Sequence, residues 1–140
     1  YVSLTSDMDV DGLEALLPAI TETFDGIILA NTTRQRDGLT SANKVEEGGL
    51  SGRPLFERNL NLTKYAYQPT NGEILMIGTG GAFSTADAIK LMRHGASLIQ
   101  IYSSLVIEGP GLTKKMNKGI ARYLKDHHFD NVSDIIGLDA

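Results

Sequence analysis

Four short clusters of glycine, amide and hydroxyl residues are the parts of this sequence best suited to holding a ligand. Three of them directly follow an apolar run: Asn31-Thr32-Thr33, Gly78-Thr79-Gly80-Gly81 and Tyr102-Ser103-Ser104. The fourth, Gly48 to Gly52, lies in a polar stretch. None of the four contains a carboxylate, an imidazole, an amine or a thiol. They therefore predict binding and orientation of a ligand, and they assign no catalytic base.

The cluster from Gly78 to Gly81 predicts a phosphate site. Glycine leaves no Cβ between the backbone and an incoming oxygen, and the free N–H groups at the start of the next helix attract an anion. The same pattern is also typical of a tight turn between a strand and a helix. The pair Tyr102-Ser103 favours the phosphate, because (β/α)8 barrels often build such a site from the loops after their last two strands.

Asn31 and Thr32 are candidates for contact with a heterocyclic ligand. The Asn31 amide offers both a donor and an acceptor, which suits the edge of a cyclic amide or urea. An asparagine in this position can equally cap its own turn. The segment from Gly48 to Gly52 is either a flexible lid or a backbone cradle.

Composition excludes several functional classes. The net charge of −4 and the isoelectric point near 5.3 give no electrostatic footprint for nucleic acid. The absence of cysteine excludes disulfides and thiolate metal sites, and no other metal-ligand spacing is present. A hydrophobic content of 41% over 140 residues is enough for one domain with a core. The longest apolar run is far shorter than the roughly 18 residues of a membrane span.

Short apolar strands alternate with amphipathic helices, which is the pattern of parallel βα units. The predicted strands are Val2–Thr5, Ile27–Ala30, Ile74–Ile77 and Leu98–Tyr102. Four helices are predicted. The first follows a cap at Asp7 or Asp9, and the second spans Asn59 to Tyr67. The third follows a capping box at Ser84 and Asp87, and the fourth begins near Pro110. A polar stretch from Thr33 to Pro54 is longer than most connections and is expected to be a functional loop. The candidate ligand residues are expected at the carboxyl ends of the sheet.

Four ordered strings resemble the dihydroorotate dehydrogenase family, and most closely its membrane-associated, quinone-using class. They are Asn31-Thr-Thr33, Gly48-Gly-Leu-Ser-Gly-Arg-Pro-Leu55, Ile77-Gly-Thr-Gly-Gly81 and Gly95-Ala-Ser-Leu-Ile-Gln-Ile-Tyr-Ser103. The ending from Phe129 to Gly137 is similar as well. The resemblance implies an α/β fold of the (β/α)8 TIM barrel type. Residues 1–140 would form its C-terminal half, strands five to eight, with the N-terminal half supplied by a missing segment or a second chain.

The resemblance also implies a function and the residues that serve it. The residues expected to bind flavin mononucleotide (FMN), the last four around its phosphate end, are Gly52, Gly80, Gly81, Tyr102 and Ser103. Asn31 and Thr32 are expected to hydrogen-bond the dihydroorotate or orotate ring. The implied reaction is the oxidation of dihydroorotate in pyrimidine biosynthesis, in which a serine base removes a proton, a hydride passes to the flavin, and quinone reoxidises the flavin. That serine belongs to the first half of the barrel. The expected location is a mitochondrial or bacterial inner membrane.

At two positions that contact the flavin in the family, this sequence carries a different residue. The family's first strand here usually carries a lysine followed by a Pro-Asp pair, whereas this chain reads Val2-Ser-Leu-Thr-Ser-Asp7, with Ser3 in the place of the lysine. Ala30 replaces a threonine that commonly contacts the flavin. A lysine would favour the anionic reduced ring, and Ser3 removes that support. An alternative is therefore a degenerate or split member that serves as a non-catalytic structural or assembly subunit.

A third interpretation is an independent flavodoxin-like open sheet that binds flavin. That fold usually places its phosphate loop after the first strand. Here the glycine cluster follows the third predicted strand, so this alternative ranks last.

Overall fold

The computed structural model describes all 140 residues and contains one parallel sheet whose four strands pair in chain order. The strands are β1 (Val2–Ser3), β2 (Gly26–Leu29), β3 (Leu75–Thr79) and β4 (Leu98–Gln100). The helices are α1 (Val10–Thr23), α2 (Phe56–Thr70), α3 (Thr85–Arg93), α4 (Ser103–Glu108) and α5 (Leu112–Asp126). Short 3₁₀ turns lie at Ala42–Val45, Arg53–Leu55 and Val132–Ile135. None of the helices is long and apolar enough to cross a bilayer.

The sheet has one buried face and one uncovered face. On the buried face, Ile27 and Met76 are fully inaccessible and pack under the apolar stripes of α1 and α2. Gly78 continues this face, where a Cβ would lie 3.4 Å from the Leu91 side chain of α3. On the opposite face, Leu98 is 53% exposed. Helices on one side and strands in uninterrupted order form half of a (β/α)8 barrel, as predicted. A flavodoxin-like sheet reverses strand order and covers both faces, so that alternative is wrong.

Several element boundaries differ from the prediction. The helix α2 begins at Phe56, before the predicted Asn59, because Pro54 fits the 3₁₀ turn that leads into it. The short helix α4 was not predicted, since its β-branched and apolar residues carry no helical period. The α1 cap is Asp9, whose carboxylate accepts the Gly12 N–H at 2.8 Å.

The C-terminal segment packs against the ends of the helices. Ile135 is fully buried, and the Asp139 N–H donates to the Arg93 carbonyl at 2.7 Å. The Arg93 guanidinium donates to both Asp139 carboxylate oxygens, at 2.6 and 2.5 Å. The two-point ion pair therefore ties the end of the chain to the end of α3.

The Asp139 pair makes the stability of the fold depend on pH. Hydrogen bonding from Arg93 holds the pKa of the Asp139 carboxyl below its usual range. A lowered folded-state pKa stabilises the fold above the unfolded-state pKa of about 3.9, and this contribution is lost as the pH falls through the folded value. We expect Asp139→Asn to lower the melting temperature at pH 7 by roughly 1–4 °C. The melting temperatures of the two proteins should converge as the pH falls below the folded-state pKa of Asp139. A difference that stays constant with pH would rule out the carboxylate charge as its source.

Candidate functional site

The carboxyl ends of the four strands open into one cavity of about 400 Å³, a size typical of small-molecule sites. Its wall contains every residue that the sequence singled out as a ligand contact: Asn31, Thr32, Gly52, Gly80, Gly81, Tyr102 and Ser103. These residues come from three strand ends and from the end of the long loop. The fold therefore brings all of the predicted site residues together.

The cavity wall is polar but carries no carboxylate, amine, guanidinium or imidazole. Its polar groups are hydroxyls, backbone groups and the amides of Asn31 and Gln100. Tyr102 lies at the rim, with 79% of its surface exposed. Such a wall can bind and orient a ligand by hydrogen bonds, but it offers no ordinary base for proton transfer.

The loop after β3 forms a backbone cradle. Gly80 and Gly81 have φ angles of +87° and +83°, which favour glycine. A Cβ on Gly81 would lie 2.6 Å from the backbone nitrogen of Phe56, and a Cβ on Gly80 would collide with the Asn59 amide. The N–H groups of Gly80, Gly81 and Ala82 donate to no protein acceptor. Free donors beside absent side chains suit a phosphate.

Two further segments border this cradle. Ser103 and Ser104 begin α4, so their N–H groups have no acceptor within the helix. Gly52, with φ +85°, sits where a Cβ would be 3.8 Å from the Ser103 Cβ. The loops after β3 and β4 and the end of the long loop thus meet at one place. The residues fit the phosphate end of a flavin nucleotide.

Asp87 holds the cradle together from behind. Its carboxylate accepts the Phe83 N–H at 2.9 Å and pairs with Arg53 at 2.8 Å. Burial alone would raise the pKa of Asp87, but these hydrogen bonds and the one with Ser84 outweigh it and lower the pKa. The charged carboxylate therefore joins the Gly52 segment to the glycine loop.

Asn31 sits at the opposite side of the site, after β2. Its N–H donates to the Leu4 carbonyl at 3.0 Å, and its side-chain Oδ1 accepts the Thr32 N–H at 2.8 Å. The local bond is that of a turn cap, but it occupies only Oδ1. The Nδ2 group makes no hydrogen bond within the chain and is available to a ligand.

The base of the long loop is firmly anchored. Thr33 and Leu50 form an antiparallel bridge, with N···O distances of 3.2 and 2.8 Å. The Thr33 hydroxyl and the Arg34 N–H both donate to Asp7, and these bonds hold the pKa of the Asp7 carboxyl below its usual value. A Cβ on Gly49 would collide with the Thr32 side chain. Gly49 therefore permits close packing against Thr32, a role that the lid and cradle alternatives did not include.

Sequence reasoning missed several residues of the site. Gln100 lines the cavity, and a polar residue inside the apolar run from Leu98 to Ile101 could have signalled it. Asn59 is fully buried behind the cavity. Its position on the buried face of α2, between the apolar residues Phe56 and Leu60, was the available signal.

Comparison with known proteins identifies the family to which this arrangement belongs. The sequence profile of the family described as dihydroorotate dehydrogenase matches residues 2–124. This chain belongs to the dihydroorotate dehydrogenase family.

Its relatives include proteins named dihydroorotate dehydrogenase (quinone) from two bacteria. The one from Deinococcus deserti is 42% identical over 140 residues, which cover 99% of this chain and 39% of that protein. The one from Azorhizobium caulinodans is 43% identical, with the same coverage. A crystal structure of DHODH from Eimeria tenella in complex with ferulenol superposes with a TM-score of 0.92 at 36% identity, covering 99% of this chain and 37% of that chain. The chain thus spans less than two fifths of the length of these relatives. The family resemblance and the half-barrel fold are confirmed.

Both departures from the dihydroorotate dehydrogenase pattern lie in the cavity. Ser3 and Ala30 are part of its wall, and Ala30 is only 2% exposed. Since no lysine or arginine lines the cavity, no other cation of this chain takes the place of the family's lysine.

Proposed function

We propose that this chain, together with an N-terminal half-barrel, oxidises dihydroorotate to orotate with FMN as cofactor and quinone as acceptor. The main support for this proposal is that one cavity contains both the unpaired N–H groups of Gly80, Gly81 and Ala82 and the free side-chain amide of Asn31. The first group suits a phosphate, and the second suits a pyrimidine edge. The names of the bacterial relatives support the reaction and the acceptor.

When bound, FMN supplies the acceptor for the hydride of dihydroorotate. The residues of this chain would bind the cofactor and the substrate and orient them relative to each other. Backbone N–H groups of Gly80, Gly81 and Ser103 would hold the phosphate, with Gly52 and Tyr102 beside it. Asn31 and Thr32 would hold the pyrimidine ring, and the proton would pass to the serine base that the family places in the other half of the barrel.

The proposed location is a bacterial or mitochondrial inner membrane. Quinones are lipid-soluble, so an enzyme that reduces them must reach the bilayer. This proposal rests on the word quinone in the names of the relatives.

The pyrimidine contact can be tested at Asn31. We expect Asn31→Ala to weaken orotate binding to the flavin-loaded protein by about 1–3 kcal/mol, because it leaves buried ligand groups unpaired. The measurement is an orotate titration followed by flavin absorbance. Asn43→Ala is the matched control, since Asn43 is an exposed asparagine in a turn outside the cavity. Equal affinities in both variants would leave Asn31 with its turn-cap role alone.

A second candidate is a non-catalytic member of the family, and Ser3 is the observation that favours it. Without the lysine charge, the reduced flavin is less stabilised. The deciding experiment combines the chain with an N-terminal half-barrel that carries the serine base, loads the assembly with FMN, adds dihydroorotate without oxygen and follows bleaching of the flavin. Bleaching supports the enzyme. Orotate binding without bleaching supports the non-catalytic member.

A further inference from the structure

A buried pair of polar side chains behind the cavity links the ends of three strands. Ser6 and Asn59 are both fully buried, and the Ser6 hydroxyl lies 2.7 Å from the Asn59 Oδ1. The same hydroxyl contacts the backbone carbonyl of Asn31. The Asn59 Nδ2 donates to the backbone carbonyl of Thr79 at 2.8 Å. Neither Ser6 nor Asn59 belongs to the cavity wall.

The direction of these hydrogen bonds is determined by their acceptors. The Thr79 carbonyl can only accept, so the Asn59 amide must turn its Nδ2 toward it and its Oδ1 toward Ser6. Ser6 must then donate, and its single proton is shared between Asn59 and the Asn31 carbonyl. Ser6 and Asn59 therefore connect the backbone at Asn31 with the backbone at Thr79 through one chain of hydrogen bonds. No buried side-chain polar atom in the chain lacks a partner.

The start of α2 acts as a hub for the loops around the site. Arg58, next to Asn59, donates to the Ser6 carbonyl and, at 2.8 Å, to the Gln35 side chain. The other buried hydroxyls of α2 behave differently. Those of Thr63 and Thr70 donate to carbonyls of their own helix, both at 2.8 Å. Among the side chains of α2, only those of the first turn donate to the loops around the site.

We infer that Ser6 and Asn59 are positioning residues that set the spacing between the pyrimidine contact and the phosphate cradle. Ser6 contacts the backbone carbonyl of Asn31, and Asn59 donates to the carbonyl of Thr79, which directly precedes Gly80. A ligand pair that spans both places needs them at one fixed separation. The inference rests on the proposed function, because it concerns the same flavin and orotate.

The test compares FMN and orotate affinities of the flavin-binding protein carrying Ser6→Ala, Asn59→Ala or both. Asn59→Ala should weaken both ligands by about tenfold, since both loops lose a partner. Ser6→Ala should weaken orotate by about tenfold and FMN by less. The loss of orotate affinity in the double variant should be smaller than the product of the single losses, because the residues act through one chain of bonds.

Two controls separate positioning from general stability. Ser6→Thr keeps the hydroxyl and should restore most of the orotate affinity. Thr70→Val removes a buried hydroxyl of the same helix far from the loops, so it should lower the melting temperature and leave both affinities unchanged. If Asn59→Ala does not fold, the affinities can still be measured on Ser6→Ala, which removes only one hydroxyl.

Different results would contradict the inference and the proposed function. Variants that lose thermal stability as Thr70→Val does, but keep both affinities within about twofold, would overturn the inference and leave the proposed function standing. If the chain without substitutions, combined with an N-terminal half-barrel, binds no FMN, the proposed function is wrong and the inference falls with it.

Discussion

Expressed alone, the 140 residues are expected to give no dihydroorotate-dependent dye reduction. The cavity wall offers no carboxylate, amine or imidazole to take the proton, and loss of a general base lowers the rate by about 10²–10⁴. Four parallel strands also cannot close a barrel. Their outer edges at β1 and β4 leave backbone groups unpaired beside the uncovered face that carries Leu98.

The assay is dye reduction with the purified chain, with and without an N-terminal half-barrel. The matching half of the Deinococcus deserti relative is a suitable partner, because the two proteins are 42% identical over the shared part. Activity should require both halves. Robust turnover by the isolated chain would contradict the proposed division of the site.

Ser103→Asp is expected to expel FMN from the protein. The side chain borders the cradle, and a carboxylate a few ångströms from a phosphate would weaken binding by about 2–4 kcal/mol, a loss of roughly 30-fold or more. The fold should tolerate the change, because an aspartate in the first turn of α4 is favourable. Gly81 is a poorer choice for this test, since any side chain there would displace the backbone of Phe56.

Ser103→Asn is the matched control, because it has nearly the same shape and no charge. Flavin content after purification and FMN affinity by fluorescence should separate the two variants. If Ser103→Asp keeps its full flavin content, the phosphate does not lie at the start of α4.

Local sequence patterns were sufficient to predict the four strands, four of the five helices and the loops of the candidate site. The apolar runs at Ile27 and Ile74 and the helical spacing of Leu13, Leu17 and Ile20 depend on residues a few positions apart. Glycine and amide residues after each run then marked the carboxyl ends of the strands, since parallel folds place ligands there. The family resemblance placed the same loops in a barrel.

Only the tertiary structure decided which residues support those loops. The contacts of Ser6 with Asn59 and of Asp87 with Arg53 join residues that are 53 and 34 positions apart. Gly49 is needed because Thr32 packs against it. No period or cap signal encodes such pairs, because hydrogen bonding and close packing between distant segments depend on where the folded chain brings them together.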